Sequence, residues 1–265
     1  MKERRFFQQW VDATKDPKWG LLPLTHITKA IRARDILIDG SLNPAFCDIQ
    51  KEKLVYTFYG RVGFRVTGED IISVERLCPV CIVLKGDIIN SKAKIFPFDT
   101  GAYHSRFYEH QIDDEFNLDD FSISGDATRL NRLIARIYPN KKSYMVGDTS
   151  NVSDPDEISK KSEFEVQAYM DLIQSFGRNE PDDRVSAMEV AFSDPISLKD
   201  VALCVIVPHT LIETGNSGHW LNSLGGDVPV LPYEFLPRRR PEFYHTAIEK
   251  IFLNFCRDNG FLDEK

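Results

Sequence analysis

Apolar positions along this 265-residue chain follow two rhythms, one repeating every second residue and one every three to four. Residues 22–27 set Leu22, Leu24 and His26 against Pro23, Thr25 and Ile27, which predicts a short strand ending at a polar residue. A helix is predicted directly after it. Thr28 stands where an N-cap belongs, Ala30, Ala33 and Leu37 share one face with Ile36 beside them, and Asp39-Gly40 offers a left-handed stop. Residues 54–59, rich in aromatic and β-branched side chains, predict a second strand closed by Gly60, with Arg61 just past its end. The unbroken apolar run 80–84 predicts a strand covered on both faces.

From 86 to about 161 the pattern loosens. Asn90, Ser91, Pro97, Asp99 and Gly101 are turn formers, and five acidic residues fall between 113 and 120. This predicts a loop-rich insertion with one helix at about 127–138, whose Leu130, Leu133, Ile134 and Ile137 face inward and whose Arg129, Arg132 and Arg136 lie opposite. The polar stretch 148–161 is expected to be a mobile loop. Helical period returns over 163–176, where Val166, Tyr169, Met170, Ile173 and Phe176 align ahead of Gly177. Two further strands are predicted at 185–192 and 201–207, and an amphipathic helix over 241–258 carries Tyr244, Ile248, Ile251, Phe252 and Phe255 on one stripe. Strands and helices mix without a βαβ rhythm, so the expectation is one α+β domain over 1–265.

Composition narrows the functional classes. At 42% hydrophobic and 28% charged, the chain can fill one large core and is neither disordered nor a coiled coil. No apolar run approaches the roughly 20 residues needed to span a bilayer, and the N-terminus mixes charge signs with no apolar stretch behind it, so a cytoplasmic protein with no membrane partner is expected. Thirty-three Lys and Arg against 40 Asp and Glu leave a formal charge of −7, which repels nucleic acid at long range. Any nucleic-acid partner would have to meet a local patch. Five irregularly spaced cysteines do not form a disulfide framework, and Cys78-Pro79-Val80-Cys81 lacks the second pair that zinc requires, so no metal is expected.

Candidate chemistry concentrates at strand ends. Over 185–192 the alternation puts Met188, Val190 and Phe192 on one face and Ala187, Glu189 and Ala191 on the other. The first face reads as core. On the second, a carboxylate sits between two methyl groups, which leaves room for a ligand beside it; the competing reading is an exposed Glu on a plain sheet face. His26 falls where a strand hands over to a helix, and Arg61 follows Phe58-Tyr59-Gly60, where a guanidinium can fork onto a phosphate or pair with an acid.

In this order the three segments resemble the DarT-like ADP-ribosyltransferases. Leu24-Thr25-His26-Ile27-Thr28 with the helix ending near Gly40-Ser41-Leu42 is similar to that family's opening strand and helix. Val55-Tyr56-Thr57-Phe58-Tyr59-Gly60-Arg61 looks like its aromatic strand leading to an Arg, and Ala187-Met188-Glu189-Val190 followed by Pro195-Ile196-Ser197-Leu198 resembles its catalytic Glu strand. The likeness covers roughly 20–65 and 163–208; Arg61 is followed by Val62-Gly63-Phe64-Arg65, a departure from the family, and 86–161 has no counterpart. The resemblance implies a mixed, mainly antiparallel β core of ADP-ribosyltransferase type with flanking helices, and NAD as substrate. It further implies that Glu189 stabilises positive charge on the ribose as nicotinamide leaves, and that His26, with Thr28 beside it, holds the ribose. Arg61 would fork onto the pyrophosphate, and Tyr56 or Tyr59 would stack on nicotinamide. The same resemblance implies a macromolecular acceptor, nucleic acid or protein, a role as toxin or defence effector, and a neutralising partner.

For a nucleic-acid acceptor stands the stripe Arg129, Arg132, Arg136, with Lys141-Lys142 and Arg238-Arg239-Arg240 beyond it. Against it stand the net charge and the acidic segment 179–183 of the loop 178–184; the resemblance implies that this loop approaches the acceptor, and an acidic loop suits a basic or protein acceptor better. Two other readings remain: an NAD glycohydrolase with water as acceptor, and a catalytically silent interaction module of the same fold.

Overall fold

The computed structural model describes residues 6–63, 71–152, 162–174, 184–213, 218–224 and 227–263. Ten strands carry the fold. They are β1 (Leu24–Lys29), β2 (Ser41–Leu42), β3 (Ala45–Cys47), β4 (Glu52–Tyr59) and β5 (Pro79–Leu84), followed by β6 (Lys94–Phe96), β7 (Glu189–Phe192), β8 (Ile196–Ser197), β9 (Ala202–Pro208) and β10 (Val230–Tyr233) among the described residues. Eight of them form a mainly antiparallel sheet, seven in the order β10-β9-β5-β1-β4-β7-β6 and β3 off that path. β3 pairs with the outer part of β4, and β2 with β8 makes a separate two-stranded ladder. One pair of the large sheet, β9 with β10, is parallel.

The apolar run at 80–84 does what its composition dictates: all six residues of β5 are buried, between β1 and β9 edge to edge. Helix Ala30–Asp39 packs against β1 and β5, and the C-terminal helix Pro241–Asp258 packs against β5, β9 and β10. Gly40 ends the first of these in the left-handed conformation (φ 65°), and its N–H donates to the Ile36 carbonyl as the sequence predicts. Thr28 is not the cap, because β1 continues through Lys29 and the helix starts at Ala30 with no side-chain cap bond.

Two corrections concern the middle of the chain. The stretch from 86 carries the predicted helix, as Thr128–Ile137 with Leu130, Leu133, Ile134 and Ile137 buried, but it is not otherwise loops: it also contributes the edge strand β6, helices Thr100–His104 and Lys141–Met145, and the buried side chains Ile95, Phe98, Phe121 and Tyr144. The predicted strand over 185–192 shortens to β7, because Arg184–Ser186 forms a 3₁₀ turn ahead of it. Of the polar stretch 148–161, residues 153–161 lie outside the described residues, as do Phe176, Gly177 and 178–183 of the acidic loop. Helix Phe164–Gln174 buries Val166, Tyr169, Met170 and Ile173 as its period requires.

One feature of the ladder opens the molecule. β1 pairs with β4 only at Leu24↔Tyr59 and Thr25↔Phe58, whereas β1 stays paired with β5 through Lys29 and β4 continues outward against β7 and β3. Beyond Thr25 the sheet is therefore split into two halves.

Candidate active site

Register decides which side chains meet. Glu189 lies opposite Phe58 on one side and Phe96 on the other, and Ala191 lies opposite Tyr56, so Tyr56, Phe58, Glu189 and Ala191 share a face. On that face is a cleft of about 230 Å³, with Glu189 in its floor and Cys47, Ile49, Tyr56, Phe58, Thr100 and Arg184 among its walls. Glu189 is 3% exposed, which removes the reading of a solvated carboxylate on a plain sheet face.

Both carboxyl oxygens are engaged by one residue. The Thr100 hydroxyl donates to Oε1 at 2.7 Å and the Thr100 backbone N–H to Oε2 at 3.2 Å. Asp99, the preceding residue, caps helix Thr100–His104 by accepting from the Ala102 N–H, and its other oxygen lies 3.8 Å from Arg184. Burial, with the Asp99 charge adding to it, pushes the Glu189 carboxyl up to about 8 against the opposing pull of the two Thr100 hydrogen bonds. At neutral pH the floor of the cleft is therefore largely a neutral acid. Tyr56 donates from its hydroxyl to the Cys47 sulfur at 2.9 Å, which fixes its ring against the cleft.

His26 lies one strand away. Its Nδ1 is 2.9 Å from the Tyr56 carbonyl, an interaction that bridges β1 and β4 where their ladder has stopped. A carbonyl can only accept, so Nδ1 carries the hydrogen. Burial holds the imidazole below its ordinary pKa, which keeps Nε2 unprotonated and an acceptor near neutral pH. The structure thus brings Glu189 and Tyr56 together; His26 reaches the backbone carbonyl of Tyr56 but is not among the residues lining the cleft. Thr28, two residues further along β1 and half-buried, pairs with Val80.

Two predicted site residues are placed elsewhere. Tyr59 is fully buried, and its hydroxyl donates to Asn131 Oδ1 at 2.7 Å while accepting from the Leu22 N–H at 2.9 Å, leaving no face on which a ligand ring could stack. Arg61, 1% exposed, sends Nη1 to Ser186 Oγ and lies against Gly147, inside the core. A pyrophosphate cannot reach it there. The cleft's own guanidinium is Arg184, which also lies over the Phe107 ring at 5.2 Å. Sequence reasoning misses Asp99, Thr100, Cys47 and Arg184; the Asp99-Thr100 pair does carry an N-cap signal, hidden among residues whose composition reads as a turn.

The arginine stripe is also an internal feature. Arg129 grips Asp12 with Nε and Nη2 at 2.8 and 2.9 Å, Arg132 reaches Asp12 and Asp126, and Arg136 lies 4.3 Å over Trp10 while donating to Thr14. The partners are the N-terminal helix Phe6–Asp12 and its neighbours, not the acidic 113–120 segment. Replacing Arg129, Arg132 and Arg136 together by Gln is expected to cost about 2 kcal/mol of stability. Single-stranded DNA and RNA binding should be unchanged, and a melting curve beside a titration at two salt concentrations checks both.

Among the described residues no three His, Cys, Asp or Glu side chains gather to hold a metal, and no helix is long and apolar enough to cross a membrane. Comparison with protein-family models, curated proteins and solved structures returns no match for this chain.

Proposed function

We propose that this chain is an NAD-dependent ADP-ribosyltransferase with Glu189 as its catalytic carboxylate, transferring ADP-ribose to a macromolecular acceptor. The observation that carries the reading is a buried carboxyl in the floor of a cleft whose walls include the rings of Tyr56 and Phe58. Aromatic walls above an acid suit a flat cationic ring such as the pyridinium of NAD. As the ribose C1′–N bond breaks, its electron pair leaves on nicotinamide and positive charge develops on the sugar, which ionised Glu189 stabilises. The acceptor then forms its bond to C1′, and its proton passes to the Glu189 carboxylate. Arg184, already at the cleft, meets the anionic part of the substrate, and the Nε2 acceptor of His26 orients a ribose hydroxyl.

The titration of Glu189 supplies a test. Only the ionised carboxylate can offset the developing charge, so kcat/KM for nicotinamide release should rise with pH and level off above about 8, the value to which Glu189 is pushed. The assay supplies NAD labelled on its adenylate portion and follows both nicotinamide and label. Release with label transferred to protein or nucleic acid is the expected result. Release without transfer would make water the acceptor and the enzyme a glycohydrolase. Absence of release at every pH from 6 to 9 would leave a binding module and overturn the proposal.

A further inference from the structure

Glu189 receives both of its hydrogen bonds from Thr100, a residue 89 positions away on the first turn of helix Thr100–His104. Thr100 is 1% exposed, so neither bond competes with bulk water. Because the hydroxyl and the backbone N–H each take a different carboxyl oxygen, they fix the plane of the carboxyl as well as its position. The backbone around Thr100 is itself held by the Asp99 cap, which accepts from Ala102 N–H at 3.0 Å.

We propose that Thr100 is the positioning residue for Glu189, orienting its carboxyl in the cleft and supplying the donors that favour its ionised form. The consequence for catalysis rests on the function proposed above; the orientation and the titration do not. The groups that face Glu189 act in both directions. Burial raises its midpoint most, Asp99 raises it further and Cys47 slightly, while Thr100 supplies the opposing interactions. Arg184 lies 3.8 Å from Asp99, and Tyr56 donates its hydroxyl hydrogen to Cys47. Among the described groups, Thr100 is thus the donor to this carboxyl.

Thr100→Val keeps the shape and the backbone N–H but deletes the hydroxyl donor; Thr100→Ser keeps the donor. The test is carboxyl ¹³C NMR titration of the full chain labelled at Glu, with the Glu189 resonance identified by its absence in Glu189→Gln. Loss of one hydrogen bond to a charged acceptor is expected to move the Glu189 midpoint upward by about one pH unit in Thr100→Val and to leave it in place in Thr100→Ser. An unchanged midpoint in Thr100→Val, with the variant shown folded by its other Glu resonances, overturns the proposal. The rise of nicotinamide release with pH should move upward by the same amount. A higher NMR midpoint in a chain that never releases nicotinamide would sustain the Thr100 assignment and overturn the ADP-ribosyltransferase reading, so the two can fail separately.

Discussion

Glu189→Gln should make the protein more stable, and only at higher pH. In the folded chain the carboxyl titrates at about 8, while in an unfolded chain it returns to the ordinary Glu range near 4.5. Between those values the native state binds the extra proton, so stability falls as pH rises through that window. The penalty is complete above about 8 and absent below about 4.5. An uncharged amide escapes it, and its oxygen can still accept from the Thr100 N–H while its NH₂ donates to the Thr100 hydroxyl. Each pH unit separating the folded and unfolded midpoints corresponds to about 1.4 kcal/mol, so the variant should gain about 3–5 kcal/mol at pH 9, or roughly 5–15 °C in melting temperature, and almost nothing at pH 4.5. The same variant should release nicotinamide at least a hundredfold more slowly, for want of a transition-state charge interaction of about 3 kcal/mol. Calorimetry across pH 4.5 to 9 checks the first expectation. A melting difference that is the same at every pH would mean that Glu189 titrates normally and that the cleft does not hold a perturbed acid.

How much of this site is legible in the sequence depends on whether its contacts are local. Alternation along β7 places Glu189 away from Met188 and Val190, since a strand must turn successive side chains to opposite faces. The same parity separates Tyr56 from Tyr59. Three positions apart on one strand, they cannot both face a cleft, and the pairing of Tyr56 with Ala191 decides in favour of Tyr56. That pairing joins residues 135 positions apart, taking 191 less 56, and no short-range pattern encodes it. Thr100 is hidden for the same reason. The period of helix Thr128–Ile137 is plain in the sequence, but the fate of its arginines is not, because the covering helix Phe6–Asp12 has only seven residues of weak pattern. Arg61 follows a strand end, where charged side chains usually reach water; tertiary packing sends it inward instead.

Arg61→Ala should therefore cost folding rather than substrate binding. The guanidinium is buried against Ser186 and close enough to Tyr138, Tyr144 and Tyr169 to pull on their phenols, although burial dominates and pushes all three up. Its backbone carbonyl accepts from the Thr25 hydroxyl, which ties the end of β4 to β1 just where the two halves of the sheet are joined. Truncation leaves a cavity and removes a charged donor from Ser186, for an expected loss of about 3–5 kcal/mol. Gly147→Ala offers an independent approach to the same packing. Gly147 has φ of 66°, which disfavours any side chain, and a Cβ there would stand 2.5 Å from Arg61 Nη2. That substitution should cost about 2–4 kcal/mol through strain and overlap while leaving every charge in place. A pyrophosphate-binding Arg61 would behave in the opposite way: Arg61→Ala would melt like the parent protein and show a raised KM for NAD, and Gly147→Ala would cost only its left-handed backbone strain of about 1 kcal/mol. Urea unfolding of both variants, set beside nicotinamide-release kinetics on whatever folded protein remains, decides between an arginine that holds the sheet together and one that holds the substrate.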